Sequence, residues 1–179
     1  MRIDDLTVEV RNKSLERVGQ LSGADLVGAE FILRHNEVGS WKVNLHATSD
    51  MADLLRTPGY GLIVTGPDGV IMSGPMLSAS LEQTQDDAEG SWTITGVDDS
   101  VILAERLAYP DPAEDDVTAQ TEAYDVREDA VETVLKEYVT ENLVTGPATR
   151  QVDNLTVATD LGRGSTVYGS ARFDKLQEF

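Results

Sequence analysis

The sequence has no cysteine in its 179 residues and only two histidines, His35 and His46. Without cysteine there can be no disulfide, no thiolate metal site and no cysteine nucleophile. The sequence also lacks an apolar leader at its N-terminus and any apolar run of membrane-spanning length. We therefore expect a protein that is made in the cytoplasm and does not insert into a membrane.

Basic residues are also scarce: the chain has 14 lysines and arginines and 32 acidic residues, which gives a formal net charge of −18. Nucleic acids and anionic membranes bind through concentrated lysine and arginine, so this balance argues against both as partners. The hydrophobic fraction is an ordinary 40%. The chain therefore carries enough apolar residues to build a core and is not expected to be disordered.

Alternating apolar and polar residues predict several short strands in the first two thirds of the chain. Residues 12–28 are polar and rich in glycine, which predicts a turn and a loop. A helix capped by Ser49 is predicted over residues 50–56. Single strands are predicted over residues 6–11 and 91–97. One hairpin is predicted over 29–36 with 40–47, and a second over 60–77 with its turn at Gly66–Gly69. The second hairpin is predicted to continue as a strand over 78–84, followed by a polar loop over 85–90.

Gly96 and the caps Asp98 and Asp99 come before a stretch with helical spacing that Pro110 stops. A strand that leads directly into a short apolar helix is typical of a helix that plugs the end of a sheet or barrel. Residues 1–108 are therefore predicted to form a barrel-like antiparallel module with a short plugging helix.

Beyond this point, eight acidic residues and one basic residue lie between Asp111 and Asp129. Residues 109–124 are predicted to be an acidic linker or surface loop, and residues 125–179 a smaller α/β module. This module is predicted to contain a helix over 125–143, strands over 152–159 and 165–169, and a terminal helix over 171–179 that the sequence cuts short. The fold class is thus α+β and β-dominated, in what we expect to be part of a longer chain.

A search for catalytic or metal-binding groups finds weak patterns, each with a simpler structural explanation. Strand parity places His35 at the end of the apolar face and His46 on the opposite face, so a shared metal site is disfavoured. The acidic run 111–116 lacks the ligand alternation of a calcium loop. Asp98 and Asp99 fit helix caps better than an acid/base pair, and Gly162–Gly164 fits a turn better than a phosphate cradle. We expect no enzyme activity, no metal and no cofactor.

An ordered set of short motifs resembles a known family along nearly the whole chain. The motifs are HNEVGSW at 35–41, PGYG at 58–61, SGP at 73–75, WTITGVDD at 92–99, LAYP at 107–110, YDVR at 124–127, LGRG at 161–164 and SARFD at 170–174. In this order they resemble the minor tail proteins of long, non-contractile-tailed phages of actinobacteria and, more loosely, the tail-tip or baseplate-hub proteins of tailed phages.

The resemblance implies a structural virion protein of the tail tip, assembled in the host cytoplasm at the distal end of the tail tube. It implies a homotrimer whose barrel modules form a ring, with tail-tube, distal-tail and tape-measure proteins as partners. DNA would only pass through the lumen, where an acidic wall would repel phosphate. Arg34, Lys42, Arg56 and Arg163 are the predicted interface residues, since a basic residue in so acidic a protein can pair with a neighbouring subunit.

Two alternatives remain open. A receptor- or carbohydrate-binding module of the virion would need exposed aromatic rings, and Tyr60, Tyr109, Tyr124 and Tyr168 are the candidates. A fragment of a cell-wall hydrolase is disfavoured, because no nucleophile or metal pattern is present.

Overall fold

The computed structural model of the protein describes residues 6–83 and 89–179. The chain divides into two compact units, Met1–Val101 and Ile102–Phe179, each with its own hydrophobic core. The loop predicted over residues 85–90 lies mainly outside the described residues. The division falls before the predicted boundary at Ala108, because Leu107 and Ala108 pair with Lys175 and Asp174 in the second unit.

Unit 1 is built on a seven-stranded antiparallel sheet in the order β2-β1-β5-β6-β7-β4-β3. The β-dominated prediction is confirmed. The closed barrel is not found, since β2 and β3 are the two ends of the sheet and do not pair with each other. The elements of this unit are β1 (Thr7–Arg11), β2 (Arg17–Gln20), β3 (Leu26–Ile32), β4 (Ser40–His46), α1 (Asp50–Leu55), β5 (Gly61–Gly66), β6 (Gly69–Glu82) and β7 (Ser91–Val97). Helix α2 (Val101–Ala104) begins at the last residue of the unit and otherwise belongs to unit 2.

Apolar alternation identifies the central strands correctly. Trp41, Val43 and Leu45 on β4 are each at most 2% exposed, and the predicted hairpin with β3 is confirmed. The Ser49 side chain accepts a hydrogen bond from the Met51 amide at 3.1 Å and caps α1 as predicted. The loop predicted over residues 12–28 is wrong, because it contains β2 and the start of β3. These are the end strands of the sheet and are mostly exposed, so their sequences need no apolar alternation.

Strand β6 is long enough to belong to both halves of the sheet. Residues 69–75 pair with β5 and residues 76–82 pair with β7, with a register shift between Met76 and Ser78. The irregularity in the ladder therefore directly follows Gly74 and Pro75 in the sequence.

The strands approach very closely where β6 changes partner. A Cβ atom on Gly74 would lie 1.8 Å from the carbonyl oxygen of Val97. A Cβ atom on Gly96 would lie 2.2 Å from the Trp41 ring and 2.3 Å from the Pro75 carbonyl oxygen. Side-chain atoms do not fit at such distances, so this crossing requires glycine at both positions.

The predicted plugging helix is wrong. Helix α2 has four residues, none of them buried, and it ends before Leu107 and Ala108, which form a short strand. The Asp98 carboxylate accepts hydrogen bonds from the Ser100 and Gly39 amides, at 3.0 and 2.7 Å. It therefore caps the turn and also ties the end of β7 to the β3–β4 connection.

Unit 2 contains two small sheets, β9 with β10 and β8 with β11, and one main helix. Val134, Tyr138, Leu143, Ala171 and Leu176 are buried in its core. The elements are β8 (Leu107–Ala108), β9 (Asp125–Ala130), α3 (Val131–Val139), a π-helix (Thr140–Val144), β10 (Thr166–Ala171), β11 (Asp174–Lys175) and a 3₁₀ turn (Leu176–Glu178).

Three predicted elements of this unit need correction. The helix predicted over 125–143 starts only at Val131, because residues 125–130 pair with β10 along their whole length. Residues 152–159 form no strand. The terminal segment forms the end of β10, β11 and a 3₁₀ turn instead of a helix, and the Phe179 ring stacks on Tyr138 with centroids 4.7 Å apart. Within the described ranges, no helix is long and apolar enough to span a membrane.

Replacing Gly74 with alanine should destabilise unit 1 by about 3 kcal/mol, because the new methyl group overlaps the Val97 carbonyl and the strands must separate. Both tryptophans of the chain, Trp41 and Trp92, lie in this unit, so urea unfolding followed by tryptophan fluorescence reports it directly. Gly23→Ala is the control, since nothing lies within 4 Å of the position that its new methyl group would take. An unchanged unfolding midpoint for Gly74→Ala would contradict the close crossing.

Candidate assembly surface

Two of the predicted interface residues, Arg34 and Arg56, form ion pairs within unit 1. Arg34 pairs with Glu37 at 3.2 Å on the surface that follows β3. Arg56 follows α1, pairs with Asp53, and places its guanidinium 3.8 Å from the centre of the Trp92 ring. Arg56 thus has a packing role in its own unit.

The other two predicted residues lie in different units. Arg163, in unit 2, pairs with Glu132 through two nitrogen–oxygen contacts of 2.9 Å. Lys42 is exposed on β4 and forms no ion pair with any described residue. The four residues are therefore not brought together in one site, and Lys42 is the one whose charge has no partner within the described chain.

Asp99, a member of the weak acid/base pattern, has a structural role, and the two histidines are exposed. Asp99 pairs with Arg11 at 2.5 Å, and the Arg11 side chain is only 5% exposed. His35 is exposed because β3 ends at Ile32, which corrects its predicted place on the apolar face, and His46 is exposed as predicted. Among the described residues, no group of three or more histidine or acidic side chains is arranged to hold a metal ion.

A buried arginine, absent from the sequence-based candidates, holds the acidic segment in place. The Arg150 side chain is 9% exposed and its guanidinium lies 3.8 Å from the centre of the Tyr109 ring. It donates hydrogen bonds to the carbonyl oxygens of Pro112 and Glu114 and to Asn142 Oδ1. The acidic segment therefore uses its backbone oxygens to bind an arginine of the same unit.

Asn142 is completely buried in the π-helix and connects this arginine to the core of unit 2. Its Oδ1 accepts from the Tyr109 amide at 3.0 Å and from Arg150 at 3.1 Å, and its Nδ2 donates to the Tyr138 carbonyl at 2.9 Å. The π-helix places this amide so that it bonds to three separate segments of the unit. Local sequence patterns do not indicate such long-range polar contacts.

A second cluster is centred on Arg127, whose side chain is 9% exposed. It pairs with Asp125 and Glu141 at 2.6 Å and with Glu137 at 3.1 Å, and it lies over the Tyr138 ring. Burial by itself lowers the pKa of Arg127, but hydrogen bonds to Glu141 and Asp125 outweigh burial and the pKa is raised. Arg127 thus joins β9 to α3 and is not available to a partner.

The surface best suited to assembly lies on the half-sheet formed by residues 76–82 of β6 with β7, β4 and β3, which we call the four-stranded half-sheet. Its outer face contains a groove of about 300 Å³ between Ile32, Leu77 and Val97, with Lys42 at its side. Leu77 is 63% exposed. The register places only three charged side chains outward among the described residues of this half-sheet, Glu30, Lys42 and Glu82.

Both edges of the four-stranded half-sheet are open. From Leu77 onward, β6 pairs with β7 on one side and with no described residue on the other, whereas the Met76 amide still donates to the Tyr60 carbonyl at 2.9 Å. At the opposite edge, β3 pairs only with β4. Residues 78–82 are exposed and carry no charge except Glu82. Open strand edges are usually protected by charge, proline or a covering segment, and this edge has little of that protection.

These features define a β-dominated scaffold whose buried charges hold its own segments together and whose open surface is a nearly neutral sheet. The family model described as "Siphovirus ReqiPepy6 Gp37-like protein" matches residues 7–179, and the chain belongs to that family. It is therefore a tail-related protein of siphoviruses, and the family supports a structural role in the virion. A search of curated proteins found no match.

The ion pairs of Glu132 predict a pH-dependent stability for unit 2. Hydrogen bonds from Arg163 and then Lys136 hold the pKa of Glu132 far below its usual range. A lowered carboxylate pKa stabilises the fold above the pKa of the unfolded glutamate, about 4.3, and this contribution is lost as the pH falls further. Glu132→Gln should therefore lower stability most at pH 7, and the difference from the original chain should shrink below about pH 4.

This difference can be measured by urea unfolding followed by tyrosine circular dichroism, since four of the five tyrosines lie in unit 2. Glu105→Gln is the matched control, because Glu105 is exposed and forms no ion pair with any described residue. This account would be contradicted if Glu132→Gln and the original chain differed in free energy of unfolding by the same amount from pH 7 to pH 3.

Proposed function

We propose that this protein is a subunit of the phage tail tip or baseplate hub and assembles with copies of itself at the distal end of the tail tube. The observation that carries the proposal is the four-stranded half-sheet with two open edges and few charges. Membership of a siphovirus family supports the virion setting. The proposal includes no enzyme activity.

The two open edges differ in sequence, and this favours a ring. If residues 76–82 of one copy pair with β3 of the next, the contact is head-to-tail, and a rotation that closes produces a ring. A ring of three copies is the arrangement that the family resemblance implies. Tail-tube, distal-tail and tape-measure proteins would contact such a ring along the tail axis.

The charge distribution favours one surface for the contact between copies. A chain with a net charge of −18 repels its own copies, and the repulsion is least where few acidic side chains face outward. The four-stranded half-sheet has two outward acids and one outward base among its described residues. The same count means that this face does not supply the acidic wall expected for a DNA conduit.

Light scattering of the purified chain at moderate salt should give three times the monomer mass. Leu77→Lys should shift the protein toward monomer, because it places a charge in the groove beside the open edge. Val70→Lys is the control, since Val70 is 58% exposed on the part of β6 that pairs with β5. A trimer that survives Leu77→Lys would contradict the choice of surface, and a chain that stays monomeric at high concentration would contradict self-assembly.

A further inference from the structure

The outer face of the β9–β10 ribbon carries two exposed tyrosines that the packing of unit 2 does not use. Outward positions alternate along both strands, and the register places Tyr168 opposite Glu128 and Ser170 opposite Val126. Tyr168 is 70% exposed, Tyr124 is 52% exposed and Val126 is 50% exposed. We call Tyr124, Val126, Glu128, Tyr168, Ser170 and Arg172 the tyrosine face.

The position of Tyr124 follows from its contact with Arg172. The guanidinium carbon of Arg172 lies 5.7 Å from the centre of the Tyr124 ring, and these two residues directly flank Asp125 and Ala171, the last pair of the ladder. Tyr124 and Tyr168 are therefore about four residues apart along the ribbon, or ~13 Å at the rise of an antiparallel strand. One ligand can contact both rings only if it is elongated.

The other three tyrosines of the chain are packed against other side chains. Tyr138 is 1% exposed, and Tyr109 lies between Arg150 and the edge of Phe173. Tyr60 packs against the core of unit 1. Of the four tyrosines that the sequence offers as candidates for a binding surface, only Tyr124 and Tyr168 are exposed; Tyr168 lies on β10, and Tyr124 directly precedes β9.

The size of this face limits the partner. A two-stranded ribbon of six paired residues is ~20 Å long and ~10 Å wide, or about 200 Å². A stable protein–protein interface takes about 800 Å² from each partner. The tyrosine face is thus far smaller than a protein interface, and its extent fits one narrow, extended ligand.

The chemistry of the face identifies the class of ligand. A tyrosine ring offers an apolar surface with a polar tip. On the tyrosine face, Glu128 and Ser170 can accept hydrogen bonds, and Ser170 and Arg172 can donate them. A sugar ring has the complementary arrangement, with apolar C–H faces and a rim of hydroxyl groups. Because the chain is strongly acidic, an uncharged ligand avoids the repulsion that a polyanion would meet.

We propose that the tyrosine face binds a neutral oligosaccharide, with sugar rings stacked on Tyr168 and Tyr124 and hydroxyl groups bonded to Glu128, Ser170 and Arg172. The site lies wholly within unit 2 and uses none of the residues of the four-stranded half-sheet. The binding proposal can therefore be tested independently of the assembly proposal.

The test is calorimetric titration of the full chain with neutral oligomers of N-acetylglucosamine, glucose, mannose and galactose, and with oligogalacturonate as an anionic comparison. At least one neutral oligomer should bind, and the anionic one should bind more weakly. Tyr168→Ala should weaken binding by about tenfold, as expected for the loss of one aromatic contact. Its melting temperature should not change, because the ring is mostly in solvent.

Leu161→Ala is the matched control, since Leu161 is 68% exposed in the same unit but lies outside the tyrosine face. It should bind like the original chain. The proposal is overturned if no neutral oligomer binds at millimolar concentration, or if binding is unaffected by Tyr168→Ala. It is also overturned if Tyr168→Ala instead lowers the mass measured by light scattering, because the face would then be a contact between copies of the chain.

Discussion

The architecture of unit 1 depends on the close crossing at Gly74 and Gly96. Strand β6 leaves β5 and joins β7 within a few residues, and the backbones there are so close that a methyl group would overlap a carbonyl oxygen. One strand can serve both halves of the sheet only because these positions carry no side chain. Both halves then contribute to one core, in which Trp41, Val43 and Leu45 of β4 belong to the same cluster as residues of β1 and β5.

The same crossing exposes the surface that we assign to assembly. Once β6 has left β5, its edge from Leu77 onward has no further partner in the described chain, and at the opposite edge of the half-sheet β3 pairs only with β4. A sheet that curls without closing keeps its edges, whereas a closed barrel would remove them. The open form therefore leaves hydrogen-bonding groups that another copy can use.

The sequence predicts those elements whose burial is periodic, and it fails where an element is stabilised by partners far away in the chain. Strand β4 and the cap at Ser49 follow from local patterns, and both are found. The acidic residues of β9 resemble a helix start and predict a helix, yet pairing with β10 decides the conformation of this segment. The predicted interface arginines fail as a set for a similar reason, since local sequence does not reveal that Arg163 reaches Glu132.

The shortage of basic residues limits the kinds of interaction that this acidic protein can offer to another molecule. Arg11, Arg127 and Arg150 are buried against carboxylates or carbonyl oxygens of their own units, so they offset the repulsion that folding would otherwise meet. A cation used in this way cannot also attract a partner. The accessible features that we assign to recognition rest mainly on uncharged groups: an open strand edge in unit 1 and tyrosine rings in unit 2. Recognition through backbone hydrogen bonds and aromatic stacking therefore suits this chain better than recognition through surface ion pairs.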